Sequence, residues 1–149
     1  MSYSTPTLLA TRVGPRIFAQ ITAESGSTPD TTIAQGWLDA ASLDIDIRVG
    51  NRYVVPVTAP AGAVSRLGGL EEQIAEWFGW VYRGISDQES AAAAAKIGYD
   101  AAMKFLDAIA AGDLDLPGAA LRPAELVDGV APGWSSNEVV YSKDTFRSF

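Results

Sequence analysis

The sequence contains no cysteine and no histidine. Without cysteine the chain has no disulfide, no thiolate zinc site and no cysteine nucleophile. Without histidine it also lacks the commonest general base and metal ligand. These two absences exclude most familiar catalytic constellations, and we expect a protein that is not an enzyme and that binds neither a metal nor a cofactor.

Basic residues are also scarce, with 11 Lys and Arg against 18 Asp and Glu and a formal net charge of -7. This is the wrong sign for a protein whose main task is to neutralise phosphates. No uninterrupted apolar run reaches the roughly 20 residues that a membrane-spanning helix needs. The opening residues also lack the pattern of a secretory signal. We therefore expect a soluble, intracellular protein with no membrane association.

What the sequence does contain is a globular composition, 48% hydrophobic and 19% charged, with helical periodicity in its first three quarters. A first short helix starts at Thr5-Pro6 and stops at Gly14-Pro15, and residues 16–21 are predicted to form one further turn. A second helix runs from Asp30 or Thr31 to about Gly50. Its predicted buried face consists of Ile33, Trp37, Ala40, Ala41 and Ile47.

The third helix, residues 63–83, has the strongest periodicity in the chain. Its predicted apolar stripe consists of Val64, Leu67, Leu70, Ile74, Trp77, Phe78, Val81 and Tyr82. Trp80 lies about 60° from Trp77 on a helix, which predicts a partly exposed indole and a candidate subunit contact. A fourth helix follows a capping-box pattern at residues 86–89 and stops at Gly112. Its residues 91–95 are all alanine, so a neighbouring helix can approach closely.

Residues 113–149 differ from the preceding helices in composition and pattern, with frequent glycine and proline and no sustained periodicity. The segment 53–57 before the third helix is β-prone but broken by proline, which predicts an extended connector. The predicted fold is therefore mainly α: a small four-helix core in residues 1–112, followed by an extended C-terminal arm, 113–149, able to pair as a short strand. The apolar end of the arm either folds back onto its own core or docks on another subunit.

The remaining polar patterns favour ordinary surface roles. Asp39, Asp44 and Asp46 are close in sequence, but helical geometry directs them apart and we predict a solvated face. Neither Gly68-Gly69 nor any other glycine pattern matches a phosphate-binding loop. The serines have no histidine partner, and the surroundings of Lys96 and Lys104 do not suggest a buried serine-lysine pair.

Four segments in sequence order resemble one known family. They are a Y-x-T-P-x-x-L-x-x-R pattern from Tyr3 to Arg12, the helix from Trp37 that leads into R-Y-x-x-P at Arg52–Pro56, the apolar helix around residues 74–82, and the ending V-Y-S-K-D-T-F-R-S-F. Together these segments resemble the Mu-like connector family of tailed bacteriophages, also called adaptor or head-completion proteins. The Gly/Pro-rich segment 116–136 departs from the family pattern.

The resemblance implies a structural virion protein of the neck, assembled in the host cytoplasm. Such proteins form a homo-oligomeric ring, usually twelve-fold, that binds the portal above and a tail or stopper protein below, and DNA passes through the bore without sequence-specific binding. Acidic residues facing that bore would repel phosphates and prevent sticking. We expect one side of the ring contact to involve Trp80 and the face of residues 91–95. The residues expected to bind the portal or a neighbouring subunit are Val139, Val140, Tyr141, Lys143, Phe146, Arg147 and Phe149.

Two alternatives remain open at this stage. A nucleic-acid-binding helical packaging module, such as a small packaging subunit, predicts a clustered basic face and salt-sensitive DNA binding. A hydrolase acting through carboxylates predicts convergent Asp or Glu in a pocket. The scattered arginines disfavour the first alternative, and the helix phases of the aspartates disfavour the second.

Overall fold

The computed structural model describes residues 1–23, 28–84 and 90–123. Helices account for 69% of these residues and no strand occurs among them, so the prediction of a mainly α fold with a helical core is confirmed. The helices are α1 (Pro6–Val13), α2 (Pro15–Thr22), α3 (Thr31–Val49), α4 (Ala61–Tyr82) and α5 (Ser90–Ala111).

The helices begin and end where the sequence carries capping residues. The Thr5 hydroxyl accepts a hydrogen bond from the Leu8 N–H at 3.3 Å, and the Asp30 carboxylate accepts one from the Thr32 N–H at 2.7 Å. Gly14 has a φ of 85°, a conformation that glycine adopts without strain and that separates α1 from α2. The predicted single turn after Gly14 was too short, because α2 is a complete two-turn helix.

The helix α4 is at the centre of the fold, and it packs against all four other helices. The main core lies between α3, α4 and α5, and α1 closes one side of it through Leu9. A second, smaller cluster lies where α2 and the start of α5 meet α4. It consists of Ile21, Trp80, Ala92 and Ala95.

The central position of α4 corrects two predictions. Trp80 is completely buried in the second cluster, so the prediction of an exposed indole was wrong. Val81 and Tyr82, predicted on the buried stripe, are exposed. A helix surrounded by four others is buried over a wide arc, and a single stripe of large apolar residues does not describe that arc. The small residues Gly79 and Ala75 supply much of the buried surface instead.

The first five residues form an N-terminal strap, residues 1–5, that lies on α4. A β-carbon added at Gly68 would lie only 2.8 Å from the Tyr3 carbonyl oxygen, so the strap passes directly over that glycine. The Ser4 hydroxyl donates to the Glu72 carboxylate at 2.6 Å, and the Tyr3 hydroxyl accepts from the Val57 N–H at 3.0 Å. The strap therefore connects α4 to the segment between α3 and α4.

Residues 113–123, the start of the predicted arm, pack against the helices. Leu116 is buried in the main core, and its N–H donates to the Tyr53 hydroxyl at 2.9 Å. Tyr53 and Leu121 form an isolated antiparallel bridge, flanked by a 2.9 Å hydrogen bond from the Val54 N–H to the Ala120 carbonyl. The predicted extended connector at 53–57 thus pairs with the start of the arm.

Three predicted features lie outside the described residues: most of the loop at 24–29, the capping box at 86–89, and the arm after residue 123. Among the helices that are described, none has both the length and the apolar character that a membrane span requires.

Candidate interaction surface

The helix α3 carries two apolar faces. The inner face is buried against α4 and α5 and consists of Ala34, Leu38, Ala41, Ile45 and Val49. The outer face is exposed and consists of Gly36, Ala40, Leu43 and Ile47. At 100° per residue the centres of the two faces are about 180° apart. The sequence-based prediction was therefore wrong in part, because it placed Ala40 and Ile47 with Ala41 on one buried face.

The outer face of α3 leads into a groove. Leu43 and Ile47 are 61% and 64% exposed, and Ile47 lines a groove of about 520 Å³. Val54 and Val55 form another wall of the groove, and Arg122 from the start of the arm reaches it. Leu43, Ile47 and the two valines thus expose an apolar surface of the kind that marks protein contacts.

A second exposed apolar face lies on α5. Ala94, Ile97 and Ala101 share one side of this helix, and Ile97 is 71% exposed. The buried side of α5, which includes Ala95, Ala102 and Leu106, lies about 130° away around the helix. Because α3 and α5 both turn their inner sides toward the same core, their outer faces lie on different sides of the molecule.

Charged residues border both faces, and Arg122 is a cation at the groove end of the α3 face. On α5, the carboxylates of Asp100 and Asp107 are paired with Lys96 and Arg48 of the same chain. Lys104, next to the outer face of α5, forms no ion pair within the described residues, and neither does Asp44 beside the outer face of α3. One outer face is therefore bordered by a cation and the other by an anion, each without an ion-pair partner in the described part of the chain.

A buried carboxylate lies beneath the N-terminal strap. Glu71 is fully buried, its Oε1 accepts from the Ser2 hydroxyl at 2.6 Å, and its Oε2 has no hydrogen-bond partner among the described residues. Burial raises the pKa of Glu71 to about 7, although the Ser2 hydroxyl and the backbone N–H groups of Tyr3 and Ser4 oppose that shift. Burial also raises the pKa of Glu76, and nearby Arg12 partly opposes this change.

The remaining predicted site residues are placed as follows. Trp80 has no exposed surface, and Ala92 and Ala95 pack on it within the chain, so neither the indole nor these two alanines offers a surface to another subunit. The C-terminal candidates lie outside the described residues: Val139, Val140, Tyr141, Lys143, Phe146, Arg147 and Phe149. Among the described residues no group of acidic side chains could hold a metal ion.

Sequence reasoning missed Leu43, Ile97 and Glu71. Leu43 and Ile47 have the i, i+4 spacing of a helix face, but the inner face of α3 has the same periodicity and competes for the same pattern. Ile97 and Ala101 have the i, i+4 spacing of an apolar helix face, which does not distinguish a buried face from an exposed one. Glu71 gives no signal of burial in the sequence, since glutamate is almost never fully buried.

The comparison with known proteins gives a match to a family model, and that match spans the described helical core. Among curated proteins none matches the chain. The family model described as bacteriophage Mu, Gp36 matches residues 3–129. The match covers all five helices, both outer faces and the groove that α3 shares with the start of the arm. On this basis the chain belongs to the bacteriophage Mu Gp36 family.

Proposed function

We propose that this protein is a head-tail connector, or adaptor, which assembles as a ring and joins the portal to the tail. Membership of the Gp36 family indicates a phage structural or morphogenesis protein. In the proposal the protein belongs to the neck of the virion and is assembled in the host cytoplasm. Its partners are the portal above, a tail or stopper protein below, and further copies of itself.

The single observation that best supports a ring is the pair of outer faces. A closed ring requires a heterologous interface, in which two different patches of one subunit meet around a rotation axis. The outer faces of α3 and α5 are two such patches, both apolar and on different sides of the same core. A twelve-fold ring is the arrangement that the resemblance to connector proteins implies.

The proposal assigns binding, not catalysis, to this chain. The DNA passes through the bore, and the net charge of -7 disfavours adhesion to its phosphates. The apolar and aromatic residues between Val139 and Phe149 anchor the arm on the portal or on a neighbouring subunit, and Lys143 and Arg147 pair with acidic partner groups.

The proposal is tested by mixing the purified chain with the portal protein of the same phage. We expect co-sedimentation and, by electron microscopy, a ring of the chain stacked on the portal. A chain that remains unassembled and unbound with its own portal would refute the connector function. Salt-sensitive DNA binding without portal binding would support the packaging module instead.

The role of the arm is tested separately by truncation after Gly133. We expect the helical circular dichroism signal to persist, because the five helices lie within residues 6–111. Portal attachment should be lost with the apolar end of the arm. Unchanged attachment would show that the arm has no part in it, whereas the full-length experiment would still decide the connector function.

A further inference from the structure

We propose that the outer face of α3 in one copy of this chain binds the outer face of α5 in the next copy. The proposal rests on the ring assembly proposed above and identifies which surfaces form its subunit contact. The partner that covers each outer face is a second copy of the same chain, and not the portal or the tail protein.

Size complementarity is the first reason. The outer face of α3 changes along the helix from small residues, Gly36 and Ala40, to large ones, Leu43 and Ile47. On α5 a single large residue, Ile97, lies between Ala94 and Ala101. An isoleucine can therefore enter the shallow half of α3 while Leu43 faces an alanine, which lets the two helices approach closely.

Charge complementarity is the second reason. Asp44 borders the outer face of α3 and Lys104 borders that of α5, and neither is paired within the described residues. The two acids of α5 are already paired, since Asp100 pairs with Lys96 and Asp107 with Arg48. Contact between the two faces thus brings opposite charges together in a chain whose net charge otherwise opposes self-association.

A head-to-tail contact also explains why both faces are exposed in a single copy. If α3 met α3 across a two-fold axis, Asp44 would lie near its own symmetry mate and the α5 face would remain uncovered. Pairing α3 with α5 covers both faces in every copy, except in the two end copies of an open row of subunits. A closed ring has no such ends.

The absence of native cysteine permits a direct test by cross-linking. The double variant Leu43→Cys/Ile97→Cys, treated with a short bis-maleimide in the presence of the portal, is expected to give a ladder of covalent oligomers. Each single variant should give no covalent oligomer. An equal mixture of the two single variants should give covalent dimers and nothing larger. The matched control is Leu8→Cys/Ile97→Cys, because Leu8 is also exposed but lies on α1 outside both faces. This control should give no ladder.

Charge reversal gives an independent readout in the full-length chain. Asp44→Lys and Lys104→Glu should each weaken self-association by about fivefold, the upper end for an exposed ion pair. The double variant should recover it. Dimers from Leu43→Cys alone, or no ladder from the double cysteine variant on a portal-bound ring, would overturn the proposed pairing and leave the connector function intact. A wild-type chain that never binds the portal would instead refute the connector function.

Discussion

The inner and outer faces of α3 have similar composition but different surroundings. Leu38 and Ile45 on the inner face are fully buried, whereas Leu43 and Ile47 on the outer face lie mostly in solvent. The side chains are of the same type and belong to one helix, so neither propensity nor hydrophobicity separates them. Tertiary packing alone decides which face stabilises the monomer.

The difference shows that an apolar residue contributes to stability or to association according to what covers it. Burial of a leucine or isoleucine side chain contributes roughly 1.5–3 kcal/mol. On the inner face this free energy is gained when the chain folds, and on the outer face it is gained only when a partner arrives. Two substitutions on α3 test this distinction, and two others test the buried carboxylate of α4 and the strap; they follow in order from the largest expected effect to the smallest.

Leu38→Ala addresses the inner face directly. Leu38 is fully buried between α3 and its neighbours, so truncation leaves a cavity and should lower the free energy of unfolding by about 2–5 kcal/mol. Urea unfolding monitored by circular dichroism measures the loss. A loss below about 1 kcal/mol would show that the inner face is not the core.

Glu71→Gln tests a polar group on the buried side of α4. Because burial raises the pKa of Glu71 from 4.5 to about 7, the folded state binds more protons than the unfolded state between these pH values. The stability of the wild-type chain should therefore fall as pH rises from 4.5 to 7, by on the order of 3 kcal/mol from this group. The amide that replaces the carboxyl does not titrate, so the variant should become more stable relative to wild type over the same range.

Urea unfolding of both chains at pH 4.5, 6 and 8 measures this difference. Asp113→Asn, at an exposed position after α5, is the control, and it should retain the pH dependence of the wild type. A stability difference between the Glu71→Gln variant and wild type that is constant with pH would contradict the assignment.

Tyr3→Phe probes the N-terminal strap at the border between the two faces of α3. The Tyr3 hydroxyl donates to Asp46, which lines the groove, and accepts from the Val57 N–H. Its removal should lower the free energy of unfolding by about 1–2 kcal/mol, because two polar partners lose their hydrogen bond. Tyr82→Phe, at an exposed tyrosine, is the control. Its melting temperature in thermal unfolding should stay near that of the wild type. Equal losses in the two variants would contradict the role of the strap.

Leu43→Ala is expected to have the smallest effect on the monomer. Since Leu43 is 61% exposed, its truncation should change the free energy of unfolding by less than about 0.5 kcal/mol. Sedimentation should nevertheless show weaker self-association than in the wild type. A loss of monomer stability as large as that of Leu38→Ala would erase the distinction between the two faces.

Much of the fold follows from local sequence signals. The starts of α1 and α3 were predicted from Thr5 and Asp30, and the end of α5 from Gly112, because capping depends on a few neighbouring residues. Periodicity predicted the helical class and the positions of α1, α3, α4 and α5, but it gave only a single turn where α2 forms. What failed was the assignment of faces, at Ile47 on α3 and at Trp80 and Tyr82 on α4.

Those failures have one physical cause. The direction of a buried face is set by all the helices packed on it, and α3 and α4 pack against helices that do not adjoin them in sequence as well as against each other. Trp80 is buried because residues of α2 and of α5 both pack around it, and Glu71 is buried because the strap crosses α4. The candidate surface was missed for the same reason: exposure of Leu43 and Ile97 is known only after every other helix has been placed.

The strap also constrains the order of events during synthesis. Tyr3 and Ser4 are translated well before their partners Asp46, Val57 and Glu72. These early residues therefore wait until α4 has left the exit tunnel before they find their native contacts. The strap therefore reaches its final place only after α3 and α4, although its residues precede both helices in the chain.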